Sequence, residues 1–327
     1  MKGLVLEGPG EVAVRDVPEP EPAEGEVLLE VVACGVCGSD LTLIKGGFPP
    51  GGVIGHEAVG RVLSAPAETG FREGQLMAVC PLDFCGVCEH CRAGRGQLCA
   101  DAVPNGLGFW RQGGLAERIA VPASMCAPMT GVDPLDATFV DPLAVTIHAV
   151  ARSGRTAGPA AVIGLGSVGI SMLTACLSEG LTPVAGVDPI PEKRDLALSV
   201  GAVAAAAPGD QAGLSASLGG PPEVVFECSG RPETIPEAAN LVVKGGAVVL
   251  VGIYDLLSMT PLPLIVNEID LRPSFCYDRS EWERSVQLIS TGAVKLSPMA
   301  ETAPLEKLPT LIEEMKQGRA KKIIAIP

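Results

Sequence analysis

The sequence predicts an α/β protein in two parts: a mostly β first part, then a part whose strands and helices alternate into a parallel sheet covered on both faces. Three observations carry this. From Val27 to about Ala120, short apolar runs alternate with Gly- and Pro-rich turns and few helical periods appear. From about Leu143, short apolar runs are separated by helix-length segments, the pattern of a parallel sheet with helices on its faces. The length of 327 residues exceeds one ordinary domain and fits two, each large enough to bury its own core.

Taken in order, Pro18-Glu19-Pro20-Glu21-Pro22 is a loop that cannot pair inside a sheet, and Val27 to Ala33 is a strand. Ala160 to Ile163 is a strand followed by an apolar helix. Val184 to Val187 is the next strand, and Pro191 to Val200 the next helix. Val224 to Glu227 and Ala247 to Val251 read as further strands. No internal repeat is visible.

Hydrophobic residues at 47% and charged residues at 19% exclude a disordered chain. The 38 acidic against 24 basic side chains give a net charge of −14. Such a chain is a poor polyanion binder, which argues against DNA, RNA and anionic membranes as partners. The first residues lack the apolar core of a signal peptide, so a cytoplasmic protein is expected. The longest uncharged run, Thr156 to Ser178, carries four glycines and is read as part of the alternating fold, not as a membrane span. In a reducing compartment 11 cysteines point to metal or catalysis in preference to disulfides.

Three constellations carry chemistry. The first is Cys85-x2-Cys88-x2-Cys91-x7-Cys99. Four thiolates this close can complete one closed tetrahedral shell, as a structural zinc requires. Core cysteines and an iron–sulfur cluster are the competing readings. The bacterial cluster run closes after three residues on a Cys followed by Pro, whereas here seven intervene and Ala100 follows. His90 lies inside this loop and is expected on the surface, since four sulfurs already saturate the ion. The second constellation is Cys34-Gly35-Val36-Cys37-Gly38-Ser39-Asp40 followed by Gly55-His56-Glu57. A catalytic zinc takes three protein ligands and an open position, and Cys37 and His56 would supply two. The third is Gly164-Leu165-Gly166-Ser167-Val168-Gly169, directly after a strand and opening a helix. Its glycines permit the tight turn and the approach of a pyrophosphate to the helix N-terminus. Asp188 falls 19 residues later at the end of the next strand, where a carboxylate would bind ribose hydroxyls and repel a 2′-phosphate. NAD is therefore expected in preference to NADP, with Arg194 added to the cofactor-binding residues.

In this order the three elements resemble the zinc-containing medium-chain dehydrogenase/reductase superfamily, which includes alcohol, sorbitol, threonine and glucose dehydrogenases. The likeness also covers Asp141-Pro142-Leu143-Ala144 and the closing Lys321-Lys322-Ile323-Ile324. It implies a GroES-like β-rich catalytic domain over 1–142 and 278–327, with a structural zinc lobe at about 80–100. It implies a Rossmann NAD-binding domain over 143–277. It further implies two zinc ions per chain, Cys37, His56 and Asp141 as catalytic-zinc ligands, and Glu57 as a nearby or intermittent one. Aspartate stands where the sorbitol-like branch usually has Glu, so a water-bridged Asp141 stays open beside direct ligation. His148 is expected to orient local structure, one loop later. Ser39 matches the family's hydroxyl that accepts the alcohol proton, but the histidine that often completes the relay is replaced by Thr42.

The implied function is zinc-dependent hydride transfer between NAD and the secondary hydroxyl of a polyol, sugar or cyclitol. Phe48, Phe109 and Trp110 lie in loops that would line the pocket, with packing at loop bases as the plainer reading. Dehydrogenation of simple alcohols or amino alcohols is the first alternative. A zinc-less quinone or enone reductase and a non-catalytic nucleotide-sensing zinc protein are further ones. The likeness implies a homodimer or homotetramer, for which Leu262 to Val266 is the expected pairing edge.

Overall fold

The computed structural model describes residues 1–47, 49–254, 256–257, 259–317 and 322–327; Phe48 and Lys321 lie outside them. The chain forms two compact units, Met1–Asp141 with Asp278–Pro327, and Pro142–Tyr277.

The first unit opens on a hairpin of β1 (Lys2–Gly8) and β2 (Glu11–Asp16), turned at Gly10 with φ +85°. There follow β3 (Glu26–Gly35), α1 (Gly38–Gly46), β4 (Glu57–Ser64), β5 (Leu76–Val79), α2 (Glu89–Arg92), β6 (Arg118–Pro122), β7 (Cys126–Pro128) and α3 (Pro134–Ala137). The long helix α4 (Val140–Ser153) leads the chain onward.

The second unit runs β8 (Ala160–Ile163), α5 (Ser167–Ser178), β9 (Val184–Val187), α6 (Pro191–Ser199), β10 (Ala204–Ala206), α7 (Gln211–Leu218), β11 (Val224–Glu227), α8 (Thr234–Leu241), β12 (Ala247–Leu250), α9 (Leu262–Asn267) and β13 (Asp270–Pro273). The chain then returns to the first unit with α10 (Arg279–Ser290), β14 (Ala300–Pro304), α11 (Leu308–Lys316) and β15 (Lys322–Ile326).

The main sheet of the first unit has the order β14-β15-β3-β4-β5-β7, with β6 also on β3. Alternation along β3 sets its register: Val27, Leu29, Val31 and Ala33 are buried, while Glu30 faces solvent. Because β15 pairs antiparallel with β3 (Ile324↔Gly35) and β3 with β4 (Gly35↔Glu57), the last strand lies one strand away from the start of β4.

In the second unit the order is β10-β9-β8-β11-β12-β13, every neighbouring pair parallel. All four residues of β8, β9 and β11 are buried, the continuous apolar pattern expected when helices cover both faces. Helix α6 starts on Pro191, whose missing N–H costs nothing in a first turn. On one face Ile163, Val187, Leu214, Leu218, Val225 and Val248 form one cluster. Truncating a buried leucine such as Leu214 to Ala would cost about 2–5 kcal/mol.

The segment Leu262 to Val266 is not a strand. It is the body of α9, with Pro263 in the first turn, where proline is tolerated, and Glu268 (φ +51°) closing the helix in the left-handed region. The two edges of the parallel sheet are β10 and, next to α9 in sequence, β13. Among the described residues no helix is long and apolar enough to cross a membrane.

Candidate active site

Two clusters of side chains that could hold a metal ion occur among the described residues, both in the first unit. In the lobe Cys85, Cys88, Cys91 and Cys99, the sulfurs all lie within 4.8 Å of one another. Its scaffold is the single turn α2, which Cys88 caps by accepting the Cys91 N–H at 3.4 Å, while the Cys88 N–H reaches the Cys85 sulfur at 3.4 Å. N–H groups aimed at sulfur favour thiolates and prepare the loop for a cation. Burial, together with the neighbouring thiols, pushes the bare Cys91 thiol up to about 12, a cost that a bound cation would offset. A closed set of four soft donors fits a structural zinc. The return segment anchors the lobe: Asp278 accepts the Gly96 N–H at 2.8 Å, and the Arg279 guanidinium sits 5.2 Å from the Phe84 ring centre. His90 lies in α2 and is partly exposed, with its Nδ1 buried.

The second cluster is Cys37, His56 and Glu57, again with one ligand atom each within 4.8 Å. Cys37 stands at the N-terminus of α1, and His56 follows Gly55, whose φ of +97° turns the chain into β4. A side chain at Gly55 would strike Leu115 at 2.5 Å, which explains glycine there. Asp40 fixes the distance between the two ligands. Fully buried, it accepts the Cys37 N–H at 2.8 Å through Oδ2 and lies 3.1 Å from His56 Nδ1 through Oδ1. Burial alone would lower the His56 pKa, but the Asp40 charge and hydrogen bond outweigh it and hold the imidazole well above its usual range. Engaging Nδ1 turns Nε2 towards Cys37, the orientation that a histidine ligand needs. Ser39 Oγ lies 3.2 Å from Nε2.

Glu57 has no solvent exposure on its side chain and pairs with the equally buried Lys322 at the start of β15. Lys322 Nζ also lies 3.4 Å from the Val36 carbonyl and 5.7 Å from the Phe139 ring centre. Gly35 makes room, since a Cβ there would fall 1.9 Å from Glu57 Oε2 and 2.8 Å from Lys322 Cε. Neither Glu57 oxygen has a hydrogen bond of good geometry, so the carboxylate keeps lone pairs free beside the thiol and the imidazole. One sulfur, one imidazole and one carboxylate fit a zinc ion in donor chemistry and spacing.

Asp141, in the first turn of α4, is buried but is not a member of this trio. His148 is buried two turns further along the same helix, with no loop between them. Thr42 is exposed. The Phe109 ring lies 5.6 Å from the His56 ring, whereas Trp110 is 65% exposed.

In the second unit the glycine motif lies between β8 and α5. Gly164 has φ +88°, and a Cβ on Gly169 would sit 1.8 Å from the Gly164 carbonyl oxygen, so helix and strand pack at contact distance. Gly166, the N-cap of α5, has open space where its side chain would be. An uncovered backbone at a helix N-terminus is a cradle for a pyrophosphate. Asp188 follows β9 and is buried; it accepts the Leu165 N–H at 2.8 Å and the Ile190 N–H at 2.9 Å. Arg194 Nη1 donates to the Asp188 and Pro189 carbonyls at 2.8 and 2.9 Å, bracing that turn.

Asp40 and Lys322 have no assigned role in the sequence reading. A lysine that is the first residue of an otherwise apolar strand, Lys322 before Ile323-Ile324-Ala325-Ile326, is the signal that would have raised it.

The family model for the alcohol dehydrogenase GroES-like domain matches residues 23–131, and the zinc-binding dehydrogenase model matches residues 164–291. A probable zinc-binding alcohol dehydrogenase of Mycobacterium tuberculosis is 30% identical, over 94% of this chain and 83% of its own. Sorbitol dehydrogenase of Ovis aries is 29% identical over 98% and 95%. Among solved structures, a zinc-binding dehydrogenase of Sinorhizobium meliloti bound to NADP superposes with a TM-score of 0.89 at 32% identity, covering 100% of this chain and 99% of that one. L-idonate 5-dehydrogenase of Escherichia coli gives 0.89 at 26%, over 100% and 98%.

Proposed function

The chain belongs to the zinc-containing medium-chain dehydrogenase family, and on that premise we propose that it oxidises a secondary hydroxyl of a polyol, sugar or cyclitol with NAD as the hydride acceptor. The broader class, a zinc-dependent oxidoreductase of alcohols and polyols using a nicotinamide cofactor, follows from the family. The observation that carries the reading is the convergence of Cys37, His56 and Glu57 within 4.8 Å. Relatives named for sorbitol and L-idonate support the polyol class.

When bound, zinc supplies Lewis acidity to a substrate hydroxyl, and the nicotinamide accepts the hydride. Cys37, His56 and Glu57, the last beside its Lys322 partner, would hold the catalytic ion, with buried Asp141, outside that trio, as a further donor either directly or through water. Asp40 holds His56 by Nδ1, which leaves Nε2 as the nitrogen that would hold the ion. Ser39 Oγ takes the substrate proton; exposed Thr42 leaves it to pass to water or to the cofactor ribose. Phe109 provides an apolar wall next to His56. Cys85, Cys88, Cys91 and Cys99 would hold the second, structural ion.

Gly164, Leu165, Gly166, Ser167, Val168 and Gly169 form the pyrophosphate loop, and the Asp188 carboxylate selects a free ribose 2′-hydroxyl. Arg194 braces the Asp188 turn. A cytoplasmic homodimer or homotetramer completes the proposal. The β13 edge is the natural pairing surface, since Leu262, Ile265 and Val266 on α9 next in sequence are exposed and apolar.

The test is a reduction screen with NAD and NADP over polyols, sugars, cyclitols and simple alcohols, with bound metal quantified on the same sample. Turnover of polyol-type secondary hydroxyls by a protein holding about two zinc ions per chain is expected. Turnover of simple primary alcohols alone would overturn the substrate class. Absence of zinc would favour the zinc-less reductases.

A further inference from the structure

Glu227, the last residue of β11, has no solvent exposure, yet its carboxylate is surrounded by donors. Its Oε1 accepts the Ser229 N–H at 2.9 Å, the Thr234 hydroxyl at 2.7 Å and the Ser229 hydroxyl. Its Oε2 accepts the Gly230 N–H at 3.3 Å and the Tyr254 hydroxyl. Five neutral donors make burial of the carboxylate tolerable. They come from two different segments, the loop after β11 with the first residue of α8 (228–234) and the loop after β12 (251–254).

Close glycine contacts stack these loops behind the dinucleotide motif. A Cβ on Gly164 would meet the Ser229 nitrogen at 2.6 Å. One on Gly252 would meet the Gly230 nitrogen at 2.5 Å and Glu227 Oε2 at 2.9 Å. The Cys228 N–H also bonds the Ile163 carbonyl at 2.8 Å. All of this sits at the C-terminal ends of β8 and β11, where the strand order reverses: β9 flanks β8 on one side and β11 on the other. In open parallel sheets the dinucleotide crevice opens at that point.

We infer that Glu227 is a positioning residue for the dinucleotide, gathering the two loops into one wall behind Gly164 and so fixing the shape of the cofactor crevice. This rests on the dinucleotide-binding reading above. The hydroxyls of Ser229 and Thr234 lie against Glu227, with the Arg231 carbonyl as a second acceptor for Thr234 at 2.8 Å, so on this inference they brace the crevice from behind.

The test is calorimetric titration of NADH into the full-length, zinc-loaded protein, as wild type, Glu227→Gln and Tyr254→Phe. A glutamine presents an N–H group to donors that need an acceptor. For Glu227→Gln the Kd rises about tenfold and the KM for the dinucleotide rises more than kcat falls; for Tyr254→Phe, which loses one donor, the Kd rises about threefold. Zinc content is unchanged in both.

A second readout needs no cofactor. The chain has two tyrosines, Tyr254 and Tyr277. Burial and the adjacent Glu227 carboxylate hold the Tyr254 hydroxyl far above the usual phenol range, so its tyrosinate absorbance appears late in an alkaline titration. Glu227→Gln brings it earlier, and Tyr254→Phe identifies the band. Wild-type affinity for NADH in folded Glu227→Gln, or an ordinary phenol titration of Tyr254 in the wild type, overturns the inference. If Glu227→Gln does not fold, Tyr254→Phe and Thr234→Val carry the test, and unchanged Kd in both overturns it. Failure of the wild type to bind either NADH or NADPH overturns the dinucleotide reading itself, and the inference with it.

Discussion

Lys322 and Glu57 form an ion pair in which neither side chain reaches solvent, and the pair lies against the backbone of Gly35. Burial works against the charge on Lys322, but Glu57 outweighs it and holds the ammonium above its usual range. The last strand of the chain thus delivers the counter-charge to a carboxylate that starts β4.

Removing the lysine leaves that carboxylate buried and unpaired. Lys322→Met is expected to cost about 3–5 kcal/mol, read as a lower urea midpoint of the metal-free protein, where no zinc can take the place of the ammonium. Gly35→Ala should destabilise by about 1–3 kcal/mol because its Cβ would overlap the Glu57 carboxylate. An unchanged midpoint in both variants would show that the pair contributes nothing to the folded state.

Much of the second unit was legible in the sequence because its signals are local. Continuous apolar runs marked β8, β9 and β11, and the glycine motif marked the turn between β8 and α5. Leu262 to Val266 misled because a short apolar run has no periodicity that separates strand from helix. In the site, Cys37, His56 and Glu57 were visible as ligand types. Asp40 and Lys322 were not, since their roles depend on contacts 16 and 265 residues away in sequence.

The four-cysteine lobe should release its metal as a unit. Cys99→Ser is expected to lower the zinc content by about one ion per chain and to loosen residues 80–100, read by metal analysis and by faster proteolysis of the lobe. Unchanged zinc content would remove the lobe as a metal site.

Ser39 is within hydrogen-bond reach of His56 Nε2 at 3.2 Å, close to the ligand trio. Ser39→Ala should lower kcat by about 10²-fold while leaving the Kd for NADH within about twofold. Equal losses in both quantities would mean that the hydroxyl serves structure, not proton transfer.

Asp188 separates two effects that a single carboxylate usually combines. On the proposed reading its charge would oppose a 2′-phosphate, and its two oxygens also hold the Leu165 and Ile190 N–H groups, so it is part of the scaffold of the glycine loop. Asp188→Asn keeps one acceptor and loses the charge, whereas Asp188→Ala loses both. The kcat/KM ratio of NAD over NADP should therefore fall about tenfold in Asp188→Asn with a modest rise in the KM for NAD. In Asp188→Ala the affinity for both cofactors should fall, because the loop is no longer braced. If instead Asp188→Asn leaves the ratio unchanged, selection lies elsewhere in the turn, with Lys193 as the next charge to alter, because Arg194 is already committed to the Asp188 and Pro189 carbonyls.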